Sequence, residues 1–139
     1  SVVLVLGVFY GGTLTGDATS KAISIAESKV ALTAFELIIR GILCNVVVVL
    51  AVWMATASQD VISKIFACWF PIMLFVLCGF EHSVANMSFL AMGHLIDPSV
   101  ITIGGYLYNV VLVSIGNFIG GVVFLAIPYY FITNLKIKK

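Results

Sequence analysis

Charged side chains are scarce in this sequence. Asp, Glu, Lys and Arg make up 9% of its 139 residues, while 62% are hydrophobic. A soluble domain carries about 25% charged residues, so the shortage excludes an ordinary water-soluble globule. It excludes a disordered chain as well, since disorder needs low hydrophobicity and high charge. The formal net charge of +1 leaves no basic footprint for nucleic acid. Cysteine is confined to Cys44, Cys68 and Cys78, each inside an apolar run, at spacings that fit neither a Cys-x-x-Cys site nor a paired disulfide framework. The two histidines, His82 and His94, have no cysteine or carboxylate at ligand spacing, so no metal site is expected. There is no HExxH, no phosphate-binding glycine loop with its Lys-Ser/Thr and no GxSxG. Ser83 beside His82 does not by itself make a nucleophile and base. Neither an enzyme nor a cofactor is expected. No basic segment precedes an apolar stretch with a small-residue cleavage site, so no signal peptide is expected either.

What the sequence does have is apolar length. Its mean hydropathy is +1.20, and the solvent for most of it is a lipid bilayer. A membrane helix needs roughly 20 apolar residues. The reading is an all-α, multi-pass membrane protein with approximate spans 1–16, 38–57, 65–95 and 107–135. Residues 17–35, with Asp17, Lys21, Glu27 and Lys29, fit a surface connection or an amphipathic helix. The stretch 65–95 exceeds one average crossing, about 46 Å as continuous helix. It also carries Gly79-Phe80-Glu81-His82 near its middle. Two half-helices with a break near 79–82 are therefore expected, because non-helical backbone at membrane depth is tolerated where it is buried in protein or lines a cavity. Pro98 beside Asp97 reads as a surface loop. Tyr129 and Tyr130 fit an aromatic belt, and Lys136, Lys138 and Lys139 fit a cytoplasmic carboxy terminus.

Ionisable groups inside a membrane mark functional sites by default. His82 coincides with the expected break and is the candidate for donating a hydrogen bond or proton to a small anion in transit. Glu81 is expected to support the break by accepting hydrogen bonds from backbone amides, and Gly79 to permit it. Phe75 and Phe80 fit either an apolar constriction or plain helix packing. Lys29 and Arg40 either draw an anion to an entrance or anchor to headgroups. Asn45, Asn86 and Asn117 read first as interhelical glue, and His94 as an interfacial residue. Gly116, Gly120 and Gly121 allow close helix approach.

Several of these residues fall in longer motifs. Gly41-Ile42-Leu43-Cys44-Asn45, Leu50-Ala51-Val52-Trp53, Gly79 to Met87 (GFEHSVANM) and Gly116-Asn117 with Gly120-Gly121 resemble signatures of the formate/nitrite transporter family. The resemblance implies an aquaporin-like helical bundle with a broken transmembrane helix, assembled as a homopentamer with one pore per protomer. It implies a cell-membrane channel for a small monoanion such as formate, with nitrite or hydrosulfide as alternatives. His82 would be the central histidine and Phe75 part of a constriction. Lys29 and Asn117 would communicate with His82. Gly79, Glu81 and Asn86 are, on the reading of the residues themselves, structural support of the break. The motifs align with the carboxy-terminal half of a family member only, from the third to the sixth span. A missing amino-terminal half needed for the pore is therefore expected. If the chain is complete as given, the alternative is a non-conducting structural membrane subunit.

Overall fold

The computed structural model describes residues 2–137, so Ser1 and the tail lysines Lys138 and Lys139 lie outside the described residues. Seven α-helices follow in order: α1 (Val2–Tyr10), α2 (Asp17–Val30), α3 (Ala34–Ala57), α4 (Val61–Leu77), α5 (Ser83–Ile96), α6 (Ile103–Gly121) and α7 (Ile127–Ile137). A π-helical turn, Val122–Ala126, joins the last two. There is no strand among the described residues.

Helix α3 starts four residues before the apolar run that marks it in the sequence. Thr33 and Glu36 form a capping box: Glu36 N–H donates to Thr33 Oγ1 at 3.4 Å, and Thr33 N–H donates to Glu36 Oε2 at 2.9 Å. This satisfies two of the orphan donors at the helix start. Its 24 residues reach about 36 Å, enough to cross a bilayer. Ser58 and Gln59 then reverse the chain, and Asp60 caps α4 by accepting the Ser63 N–H at 2.8 Å. That N–H holds the Asp60 carboxyl below its ordinary range. The short turn makes α3 and α4 antiparallel neighbours.

The 65–95 stretch is two half-helices, α4 and α5, with a break at residues 78–82. The break begins with a Schellman motif. Phe80 N–H donates to Phe75 O at 3.0 Å, and Gly79 N–H donates to Val76 O at 3.2 Å. Gly79 sits at φ 64°, the left-handed region where other residues are strained. Gly79→Ala should therefore lower stability by about 1–2 kcal/mol, read as a drop in the thermal midpoint of the detergent-solubilised protein. An unchanged midpoint would show that the turn does not need its glycine.

Helices α3 and α6 pack backbone to backbone. A Cβ on Gly41 would sit 2.9 Å from Val113 O, and Cβ atoms on Gly116 and Gly120 would run into the carbonyl oxygens of Ile38 and Ile42. Gly116 and Gly120 stand one helical turn apart in a GxxxG arrangement, which lets membrane helices approach closely. The widened turn after Gly121 has a local cause. Pro128 has no N–H and its ring collides with the carbonyl four residues back in a regular helix. The helix loosens just before it, and Ile127 N–H bonds Val122 O, five residues back.

The interior is small. Leu37, Cys44, Leu90, Ile101 and Val113 are fully buried, while Phe66, Trp69, Phe70 and Leu77 on α4, Phe118 on α6, Phe124 in the π-helical turn and Phe131 on α7 stand exposed. Apolar surface on this scale faces lipid or other protein, not water. The fold is an all-α, multi-pass membrane protein with one membrane helix broken.

Candidate functional site

Four polar residues in the interior are almost fully buried: Glu81, Asn86, Asn109 and Asn117. A buried carboxylate is costly unless paired and hydrogen-bonded. Lys29, in the last turn of α2, brings its Nζ to 2.9 Å from Glu81 Oε1 and 3.1 Å from Oε2. Asn86 on α5 donates through Nδ2 to Glu81 Oε2 and to Asn109 Oδ1, the latter at 2.8 Å. Asn109 on α6 donates in turn to the main-chain oxygen of Lys29 at 2.9 Å. The contacts close into a ring: Lys29 side chain, Glu81, Asn86, Asn109, and back to the Lys29 carbonyl. The ring ties α2, α5 and α6 to the break. Asn86 Oδ1 is the buried side-chain polar atom without a partner among the described residues. The partners of Glu81 thus differ from those expected. It receives a lysine and an asparagine side chain, not backbone amides, because α2 delivers a full positive charge to it.

Asn117 on α6 grips the backbone on both sides of His82. Its Nδ2 donates to Glu81 O at 3.0 Å and to Gly41 O at 2.9 Å, and its Oδ1 accepts from Ser83 N–H at 2.9 Å. Asn45 on α3 donates to Asn117 O at 2.6 Å. Glu81 N–H donates to Arg40 O at 3.3 Å. The peptide units flanking His82 are therefore fixed from α3 and α6.

His82 occupies the N-cap position of α5 without a side-chain cap bond. Its ring is half-buried and makes no hydrogen bond among the described residues. It lies 6.0 Å, centroid to centroid, from the ring of Phe75. The amino-terminal end of α5 carries the positive pole of its helix dipole, a natural place for an anion. With Glu81 matched by Lys29, the chemistry on offer is an unengaged imidazole at a positive helix end, beside an aromatic wall.

The structure brings the sequence-expected residues together in two groups. Phe75 and His82 face each other, and Lys29, Glu81 and Asn86 share one network. Gly79 and Asn117 shape the backbone between them. Lys29 is not a free cation at an entrance: its ammonium is committed to Glu81 and lies 5.6 Å from the centre of the Phe89 ring. His94 lies at the far end of α5, its Nδ1 2.6 Å from Ile101 O. Sequence reasoning missed Asn109. The signal was available, since Asn109 stands in an apolar run like Asn45, Asn86 and Asn117, two turns before Asn117.

The chain is similar to known proteins over most of its length. The family described as Formate/nitrite transporter matches residues 1–131. The chain is 38% identical over 124 residues to the uncharacterized transporter YrhG of Bacillus subtilis, covering 89% of this chain and 46% of that protein. It is 37% identical over 126 residues to the nitrite transporter NirC of Salmonella typhimurium, covering 88% and 46%. A solved pentameric formate channel with formate bound superposes with a TM-score of 0.85 at 25% identity, covering 95% of this chain and 60% of that one.

These matches correct two expectations. The family pattern runs over nearly the whole chain, so the likeness is not confined to a carboxy-terminal half of it, and these matches do not carry the expectation of a missing amino-terminal half needed for the pore. The short motifs that carried the sequence reading sit between residues 41 and 121. The family pattern also runs through α1 and α2, where no short motif marks it. The chain spans about half the length of the curated relatives it matches. With the broken helix, the glycine seam and the matched residues 1–131 together, the chain belongs to the formate/nitrite transporter family.

Proposed function

We propose that the protein acts as a channel for small monovalent weak-acid anions, formate first, in the cytoplasmic membrane of a bacterium. It conducts and does not catalyse. Its assembly is a pentamer, as in the solved formate channel it resembles. In this reading α3 and the α6–α7 helix each cross the membrane, α4 and α5 share one crossing, and the carboxy terminus, with its lysine tail, faces the cytoplasm.

The observation that carries the reading is the helix break. It places an unengaged His82 at the amino-terminal end of α5, with Phe75 beside it. An anion arriving there meets the helix pole and a hydrogen bond from the imidazole. A proton passed from the imidazolium form of His82 to the anion makes a neutral acid, which crosses the apolar wall at far lower desolvation cost than the charged form. The neutral imidazole left behind regains a proton from water. Lys29 keeps Glu81 from repelling the anion, and Asn117 holds the His82 backbone in place. Phe75 narrows the apolar path. Gly79 and Asn86 keep the break open and fixed.

A second reading, nitrite, is favoured by the identity to the nitrite transporter over most of this chain. Both anions fit the same chemistry. Purified protein in liposomes, followed by stopped-flow formate uptake with nitrite as competitor, tests the proposal. Formate uptake above empty liposomes, reduced by nitrite, is the expected result. Uptake no faster than empty liposomes for either anion would overturn it.

A further inference from the structure

The break joins two helix ends of opposite sign. Helix α4 arrives with its carbonyls, the negative pole, and α5 leaves with its N–H groups, the positive pole. An anion between them is repelled by one and attracted by the other. Glu81 would add a full negative charge, but Lys29 offsets it within the buried ring.

The turn that closes α4 has a cation beside it. Nη1 of Arg40 lies 3.5 Å from the carbonyl oxygen of Gly79, two residues past the last residue of α4. That is long for a hydrogen bond but well within the range of charge–dipole attraction. Arg40 comes from α3, and its carbonyl is held by the Glu81 N–H. Its side chain is 40% exposed. A guanidinium keeps its charge at physiological pH, and arginines within membrane helices face the protein interior or a water-filled cavity. The nearest acid is Glu36, with Oε1 3.9 Å from Arg40 Nη2. Glu36 holds the Thr33 N–H and hydroxyl with its other oxygen, at 2.9 and 2.8 Å. An exposed pair of that length neutralises little.

We infer that Arg40 sets the charge selectivity of the break: it cancels the negative pole of α4, so that the unopposed field an anion meets is the positive pole of α5 beside His82. The inference rests on the channel reading and extends it to a residue that neither touches His82 nor belongs to the Lys29–Glu81 ring. Each negative element at the break has its own matched cation, Lys29 for Glu81 and Arg40 for the α4 end.

The test compares wild type, Arg40→Gln and Arg40→Lys, reconstituted at equal density, for formate uptake at low and high salt. Removing one exposed unit charge should slow uptake about five-fold at low salt and flatten its salt dependence. Arg40→Lys should keep both the rate, within about two-fold, and the salt dependence, because the charge is preserved. Wild-type rates in Arg40→Gln, or an equal loss in Arg40→Lys, would overturn the inference. If wild type carries nitrite and not formate, the same comparison is made with nitrite. If it carries neither, the channel reading fails and the inference is judged on binding. A formate-dependent rise in thermal midpoint in wild type and Arg40→Lys, absent in Arg40→Gln, upholds it. The same response in wild type and Arg40→Gln, including none, overturns it.

Discussion

Lys29→Met should destabilise the folded protein by about 3–5 kcal/mol, the cost of leaving one member of a buried ion pair without its partner. The Lys29 and Glu81 side chains are 14% and 5% exposed, so water does little to screen or solvate them. Removing the ammonium leaves the carboxylate with the Asn86 amide and no counter-charge. Glu81→Leu alone should be comparably harmful, because it strands the ammonium of Lys29 in the same pocket. The double variant Lys29→Met/Glu81→Leu should cost clearly less than the two single changes added together, since neither charge is then stranded. Denaturant titration of the detergent-solubilised protein measures all three. Simple additivity would mean that the two groups are independent, and the closed ring would then not be a unit.

The second large effect lies at the α3–α6 seam. Gly116→Leu and Gly120→Leu should each prevent a stable fold or lower stability by more than about 3 kcal/mol. At both positions the added Cβ meets a backbone carbonyl, Ile38 O or Ile42 O, and backbone cannot swing aside as a flexible side chain can. The helices must separate, and Asn117, between the two glycines, then loses its grip on Gly41 O and on the peptide units around His82. Gly104→Ala is the control. Its Cβ would find Thr102 Oγ1 at 3.9 Å, ordinary contact, so the change should be neutral or slightly stabilising through helix propensity. Equal tolerance of leucine at positions 116 and 120 would contradict the backbone-to-backbone packing.

Much of this fold was legible because its signals are strong and local. The apolar run around α3, the excess length of 65–95 and the glycine at 79 each carry a physical meaning that needs no partner. The break follows from too many residues for one crossing together with a carboxylate and an imidazole at membrane depth. Helix starts were less legible: α3 begins at a Thr33–Glu36 capping box outside its apolar run. The roles within the polar network were legible only in outline. That Glu81 needs partners follows from its chemistry. That they are Lys29, 52 positions earlier, and Asn86 depends on how α2 packs against α5, which local spacing does not encode. Lys29 illustrates the consequence. In sequence it is an anion attractor or an anchor, and in the fold it is a buried counter-ion. Asn117 reads as interhelical glue and proves more specific, since it clamps the two peptide units on either side of one histidine.

The central claim is that His82, at the break, carries anion passage without carrying the fold. The ring makes no hydrogen bond among the described residues, and its neighbour is an aromatic side chain. Formate uptake by proteoliposomes of wild type and His82→Ala, matched for protein density and thermal midpoint, tests this directly. The account expects uptake in the variant to fall about ten-fold or more near neutral pH, in line with the loss of a group that donates a proton or hydrogen bond, while the midpoint shifts little. Uptake equal to wild type at a preserved midpoint would contradict it and leave the break as a structural feature alone.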